Sequence, residues 1–101
     1  MTEIVNTYAP RRVSLPGATL KDLLEERGMS QKQLAERTGL TPKAINEIVK
    51  GKVAITSDTA LKLERALGTA AEFWLAREQH YQEWRARVRA QEQQSASAAW
   101  L

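Results

Sequence analysis

The chain has 101 residues, so we expect one domain with a modest core. It contains no cysteine, which excludes disulfides, zinc–thiolate sites and a thiol nucleophile. No apolar run approaches the ~20 residues of a membrane-spanning helix, and the first residues lack the apolar segment of an export signal, so we expect a cytoplasmic protein. The net charge is +3, and the whole excess falls within residues 30–52, which hold five basic and two acidic side chains. Such a local basic excess predicts a surface that binds nucleic-acid phosphates.

Residues 1–15 are predicted to form a flexible leader, because no helical or strand period is visible there. Arg11 and Arg12 make it a candidate basic arm for DNA, although Glu3 partly offsets their charge. A first helix then runs from roughly Ala18 to Arg27. Its apolar stripe consists of Leu20, Leu23 and Leu24.

Residues 30–52 are predicted to form two short helices joined by a tight turn. Ser30, with Gln33 three residues later, makes a capping box for the first of them. Gly39 follows where a helix end favours a residue that tolerates a left-handed conformation. Thr41 caps the second helix, and Pro42 takes its first position. The order helix, glycine turn, helix is that of the helix-turn-helix unit.

The outward face of the second helix carries short or cationic side chains. Such groups can reach phosphates and base edges, and an asparagine can pair with adenine. We predict base contacts from Lys43 and Asn46, and a phosphate contact from Gln31 at the start of the preceding helix. The full predicted DNA-binding set is Gln31, Thr41, Pro42, Lys43, Ala44, Asn46, Glu47, Lys50 and Lys52. The alternative is a solvated helix face without a partner.

Two further helices are predicted after this unit. The fourth runs from roughly Asp58 to Leu67 and is capped by Thr56 or Ser57. The last covers residues 70–89, which is long for a chain of this size. Residues 90–101 are expected to fray, because they are mostly small and polar. Residues 16–89 are therefore predicted to form one all-α domain of five helices without a sheet.

Four of the six aromatic residues fall in the last helix. Phe73, Trp74 and Leu75 are predicted to complete the core. A stripe within one quadrant of the helical wheel continues beyond the reach of the four shorter helices, which is typical of a protein-binding face. The predicted interface set, for a second copy or for a partner protein, is Trp74, Tyr81, Trp84 and Val88. We place a homodimer first, because it would cover these apolar side chains without a second gene product.

Nothing in the sequence indicates an enzyme. His80 is the single histidine, and no acid–base partner or glycine-rich phosphate loop is recognisable. We therefore expect no catalytic residue, no metal, no cofactor and no small-molecule substrate.

Residues 15–87 resemble the HigA family of bacterial antitoxins, within the Xre/Cro-type helix-turn-helix group. The resemblance rests on Pro16-Gly17, SQKQLA at 30–35, INEIV at 45–49, AITSDTALKLERALGT at 54–69, and EFW at 72–74. The chain departs from the family at Leu15, where members commonly carry histidine.

The resemblance implies a lambda-repressor-like domain that dimerises and binds a palindromic operator in its own promoter. It also implies a partner toxin of the HigB type, similar to the RelE-like messenger ribonucleases, which the antitoxin would neutralise. A stand-alone Xre-type transcriptional regulator without a toxin stays open as the alternative.

Overall fold

The computed structural model describes the backbone of residues 13–98 and the side chains of residues 13–93. Over this part of the chain there are five helices and no strand, so the predicted all-α architecture is confirmed. The helices are α1 (Pro16–Arg27), α2 (Gln31–Thr38), α3 (Pro42–Val49), α4 (Ser57–Leu67) and α5 (Ala71–Ala98). Most of the predicted leader, including Arg11 and Arg12, lies outside the described residues.

Side-chain caps start the three central helices where the sequence predicts them. The Ser30 hydroxyl accepts a hydrogen bond from the Gln33 amide at 3.0 Å, and the Ser30 amide donates to the Gln33 side chain at 2.9 Å. The Thr41 hydroxyl accepts from the Ala44 amide at 3.0 Å. Thr56 caps α4 in the same way. Each cap satisfies a backbone N–H that the first helical turn leaves without a partner.

The core takes one large, fully buried side chain from each helix. These residues are Leu20, Leu34, Ile45, Leu63 and Trp74. Full burial of a large apolar side chain contributes about 1.5–3 kcal/mol. The placement of Trp74 in the interface set is therefore wrong, because α5 turns its indole ring into the core, where no partner can touch it. The prediction that Phe73 is a core residue is also wrong, since its side chain is 41% exposed.

α5 is longer than the sequence predicts. It has 28 residues, which corresponds to about 42 Å of helix. Residues 90–98 continue the helix, and the expected fraying of residues 90–101 stays a prediction. This stretch is rich in alanine and glutamine, which favour the helical conformation. Residues 99–101 lie outside the described part of the chain.

Two adjacent charged side chains attach α5 to the rest of the domain. Arg77 donates from Nη2 to the hydroxyls of Ser14 and Thr19, both at 2.9 Å. The Glu78 carboxylate accepts from the backbone amide of Ile55 at 3.0 Å. α5 is therefore held both to the start of α1 and to the connector that follows α3.

The N-terminus of α1 approaches the C-terminus of α3 closely. A Cβ atom added to Gly17 would lie 2.2 Å from the carbonyl oxygen of Ile48 and 2.5 Å from that of Val49. Only glycine fits this contact, so Gly17 controls how closely α1 packs against α3.

Candidate nucleic-acid interface

The turn between α2 and α3 is held by hydrogen bonds as well as by glycine. Gly39 adopts φ 80°, and its amide donates to Ala35 at 2.9 Å. The Thr38 hydroxyl donates to the carbonyl of Leu34 at 2.8 Å and accepts from the amide of Leu40 at 3.2 Å. α3 therefore leaves the turn in a defined direction, with Ile45 and Ile48 buried on its inner face.

The predicted DNA-binding residues lie on the solvent side of this unit. Five of them are exposed, namely Thr41, Pro42, Lys43, Lys50 and Lys52. The other four, Gln31, Ala44, Asn46 and Glu47, are half-buried. Their roles as base or phosphate contacts stay predictions.

Gln31 and Asn46 are joined by a hydrogen bond between the two helices. The Asn46 side-chain amide donates to the Gln31 side-chain oxygen at 3.2 Å. One N–H and the oxygen of Asn46 are left for other partners, and these are the two groups that a paired contact with adenine needs. The N–H groups of Gln31 can still donate to a phosphate. The bond thus restricts the orientation of Asn46 while its oxygen and one N–H stay available.

The basic side chains of this surface are not neutralised by any other side chain that the structure describes. Among the described residues the ion pairs are Lys62 with Asp58, on α4, and Arg87 with Glu83, on α5. None of the five cations between residues 30 and 52 takes part in one; these are Lys32, Arg37, Lys43, Lys50 and Lys52. Unpaired exposed cations can contact phosphates without first breaking an internal ion pair.

Other kinds of site find little support among the described residues. No group of three or more His, Asp or Glu side chains there could hold a metal ion. His80 is exposed on α5. Within the same residues no helix has the length and apolar character to cross a bilayer.

The distal part of the predicted interface set lies along one side of α5. The rings of Tyr81 and Trp84 are 5.9 Å apart between centroids. Tyr81, Trp84 and Val88 are all half-buried, and together with Arg85 and Arg89 they line a concavity of about 210 Å³. The expectation that this stripe lies beyond the rest of the domain is wrong for Tyr81, which also borders a concavity formed with the connector after α3.

The contacts of Arg77 and Glu78 are not predicted from the sequence. The hydrogen-bond partners of Arg77 are 58 to 63 residues away along the chain, and the partner of Glu78 is 23 residues away. No local pattern signals contacts of this kind.

Comparison with known proteins agrees with this architecture. The helix-turn-helix family model matches residues 20–74, which is more than half of the chain. Antitoxin HigA-1 of Vibrio cholerae is 37% identical over 84 residues, covering 82% of this chain and 79% of that protein. Virulence-associated protein I of Dichelobacter nodosus is 43% identical over 61 residues, and the aligned part of this chain spans only 56% of that relative.

A solved structure of the Pseudomonas aeruginosa antitoxin HigA with the higBA promoter superimposes with a TM-score of 0.76. That match has 29% identity and covers 81% of this chain and 90% of the other. The sequence match and the shared five-helix fold lead to the same assignment: the chain belongs to the helix-turn-helix family and, within it, to the HigA-like antitoxins.

Proposed function

We propose that this protein is the antitoxin of a HigBA-type module that binds its own operator through α2 and α3 and represses transcription. The main support is the outward face of α3, where exposed unpaired lysines surround an asparagine that Gln31 orients. Structural similarity to an antitoxin solved with promoter DNA supports the same reading. Because its target is the operator, we expect the protein to act in the cytoplasm.

In this proposal α3 enters the major groove. Lys43 and Asn46 contact base edges, while Thr41, Lys50 and Lys52 contact the DNA backbone. Gln31 contacts a phosphate from the N-terminus of α2, where the helix dipole also favours an anion. Base contacts give sequence preference, whereas phosphate contacts strengthen binding to any sequence.

The base readers can be tested by measuring affinity for the promoter duplex and for a random duplex at a fixed salt concentration. Lys43→Ala and Asn46→Ala are each expected to lose about 1–3 kcal/mol on the promoter and less on the random duplex. Lys50→Ala should weaken both duplexes alike. Lys21→Ala, which removes an exposed lysine from α1, is the matched control and should change neither affinity. An unchanged promoter-to-random ratio in both Lys43→Ala and Asn46→Ala would reject them as base readers.

The second half of the proposal is neutralisation of a toxin similar to the RelE-like, ribosome-dependent messenger ribonucleases. Its support is the similarity to proteins named as HigA antitoxins. The direct test is growth of cells that express the protein of the adjacent reading frame, with and without this chain. Growth arrest that this chain relieves supports the antitoxin function. If the neighbouring protein causes no growth arrest, the result favours the alternative that this chain is a stand-alone transcriptional regulator without a toxin partner.

A further inference from the structure

A groove lies between α1 and the first turn of α5, away from the residues predicted to bind DNA. It encloses about 250 Å³ and is lined by Thr19, Asp22, Leu23, Glu26, Thr69 and Phe73. The four α1 residues are spaced at i, i+3, i+4 and i+7, so they form one continuous stripe of that helix. We call this site the acidic groove.

The apolar part of the acidic groove is held in place before any partner arrives. Phe73 is 41% exposed, which is large for an aromatic side chain of a small domain. Its ring packs edge-on against Trp74, at 5.2 Å between centroids and 78° between planes, and Trp74 is fully buried. Leu23 packs against the core from the other wall. An aromatic ring that is already ordered loses little conformational entropy on binding, which favours a protein contact.

The charged side chains that line the acidic groove, Asp22 and Glu26, are both acidic, and the Arg77 guanidinium donates to the hydroxyl of Thr19 in its wall at 2.9 Å. Asp22 and Glu26 are exposed, and neither forms an ion pair with a described residue. No cationic side chain lines the groove. The carboxylates would repel a nucleic acid, so the complementary occupant is a positively charged protein surface with an apolar side chain at its centre.

We propose that the acidic groove is the toxin-binding site, an assignment that rests on the antitoxin function proposed above. A nuclease that acts on messenger RNA needs a cationic surface to hold the phosphates. The acidic groove matches such a surface in charge and supplies Leu23 and Phe73 as apolar anchors.

The same charge criterion separates this groove from the aromatic stripe of α5. Arg85 and Arg89 line the concavity beside Tyr81, Trp84 and Val88, and the Arg85 guanidinium lies 5.8 Å from the centre of the Tyr81 ring. That concavity is rimmed by cations and would repel a basic toxin. Contact of the stripe with a second copy of this chain stays a prediction that rests on its apolar side chains.

The test uses the full chain and, as probe, the protein encoded by the adjacent reading frame, with binding rates measured at low and at moderate salt. Phe73→Ala is expected to weaken binding about tenfold or more, mainly through faster dissociation, because it removes a central anchor. Glu26→Lys should weaken binding severalfold, mainly through slower association, and more at low salt. Glu25→Lys is the matched control. Glu25 is exposed and immediately precedes Glu26 in α1, but it does not line the groove. Circular dichroism and promoter binding establish that each variant is folded.

The outcomes are distinct. Loss of toxin binding in Phe73→Ala and Glu26→Lys, with Glu25→Lys and Trp84→Ala retaining it, supports the acidic groove. Loss of toxin binding in Trp84→Ala alone would place the toxin-binding site on the aromatic stripe. It would contradict the proposal for the acidic groove and leave the proposed antitoxin function unaffected. If Phe73→Ala and Glu26→Lys instead convert a dimer to a monomer, the occupant is a second copy and the proposal is wrong. Failure of the unaltered chain to bind the neighbouring protein contradicts the proposed antitoxin function itself.

Discussion

Asn46 carries the side chain on which base recognition depends in our proposal, and Gln31 limits how that side chain can turn. The 3.2 Å hydrogen bond between them crosses from α3 to α2. A restricted amide loses less entropy when it pairs with a base than a freely rotating one. We therefore propose that Gln31 serves specificity as well as phosphate binding, without touching a base.

A double-mutant cycle on promoter affinity measures this coupling. Gln31→Ala is expected to weaken promoter binding and to lower the preference for the promoter over a random duplex. In an Asn46→Ala background the same change should matter less, with a coupling energy of about 0.5–3 kcal/mol. Gln79→Ala, an exposed glutamine on α5, is the matched control. Additivity within about 0.5 kcal/mol would mean that Gln31 acts only on the phosphate.

The orientation of α3 depends on how α1 and α5 hold it. Gly17 allows the N-terminus of α1 to touch the last carbonyls of α3, and Glu78 bonds the connector that follows α3. Both contacts involve backbone atoms, which have little freedom to move. α3 is thus held at its C-terminal end by α1 and α5, which are two of the helices outside the helix-turn-helix unit.

Gly17→Ala is expected to destabilise the fold by about 1–3 kcal/mol, because the new methyl group would lie 2.2 Å from the Ile48 oxygen and force α1 away from α3. Denaturant unfolding measures the loss, and promoter affinity should fall with it. The control Lys21→Ala, on the same helix but exposed, should stay within about 0.5 kcal/mol of the unaltered chain. Equal stability of Gly17→Ala and the unaltered chain would show that the two helices can separate at no cost.

At the scale of the whole molecule, one short recognition helix in a chain with a net charge of +3 is little for an operator that competes with a genome of other sites. A two-fold dimer doubles the contacts and reads a palindrome with half-sites ~34 Å apart, or a multiple of that distance. The stripe formed by Tyr81, Trp84 and Val88 is the proposed contact between the two copies, because such a contact would cover its apolar side chains.

Trp84→Ala is expected to shift the protein from dimer to monomer at micromolar concentration, since it removes the largest apolar side chain of the stripe. Promoter affinity should fall in parallel, because the second half-site no longer binds with the first. Sedimentation velocity and promoter titration on the same samples check both effects. His80→Ala, an exposed position on the same helix, is the control. A Trp84→Ala protein that remains dimeric with normal promoter affinity would exclude the stripe as the dimer contact.

Local features of this fold could be predicted from the sequence because their causes lie within a few residues. The caps at Ser30 and Thr41 and the turn at Gly39 each depend on side chains or backbone conformations three or four positions apart. The basic character of residues 30–52 is likewise a property of composition. These features were sufficient to predict five helices, the helix-turn-helix unit and the outward set on α3.

Only the tertiary structure decided which side of α5 faces the core. Phe73 and Trp74 are adjacent aromatic residues, yet one is 41% exposed and the other fully buried, because packing against α1 and α4 sets the rotation of the helix. The partners of Arg77 lie 58 to 63 residues away, and the carbonyls that exclude a side chain at Gly17 belong to another helix. A periodic pattern shows that a helix has an apolar side, but the position of that side is determined by contacts that form only when the whole chain has folded.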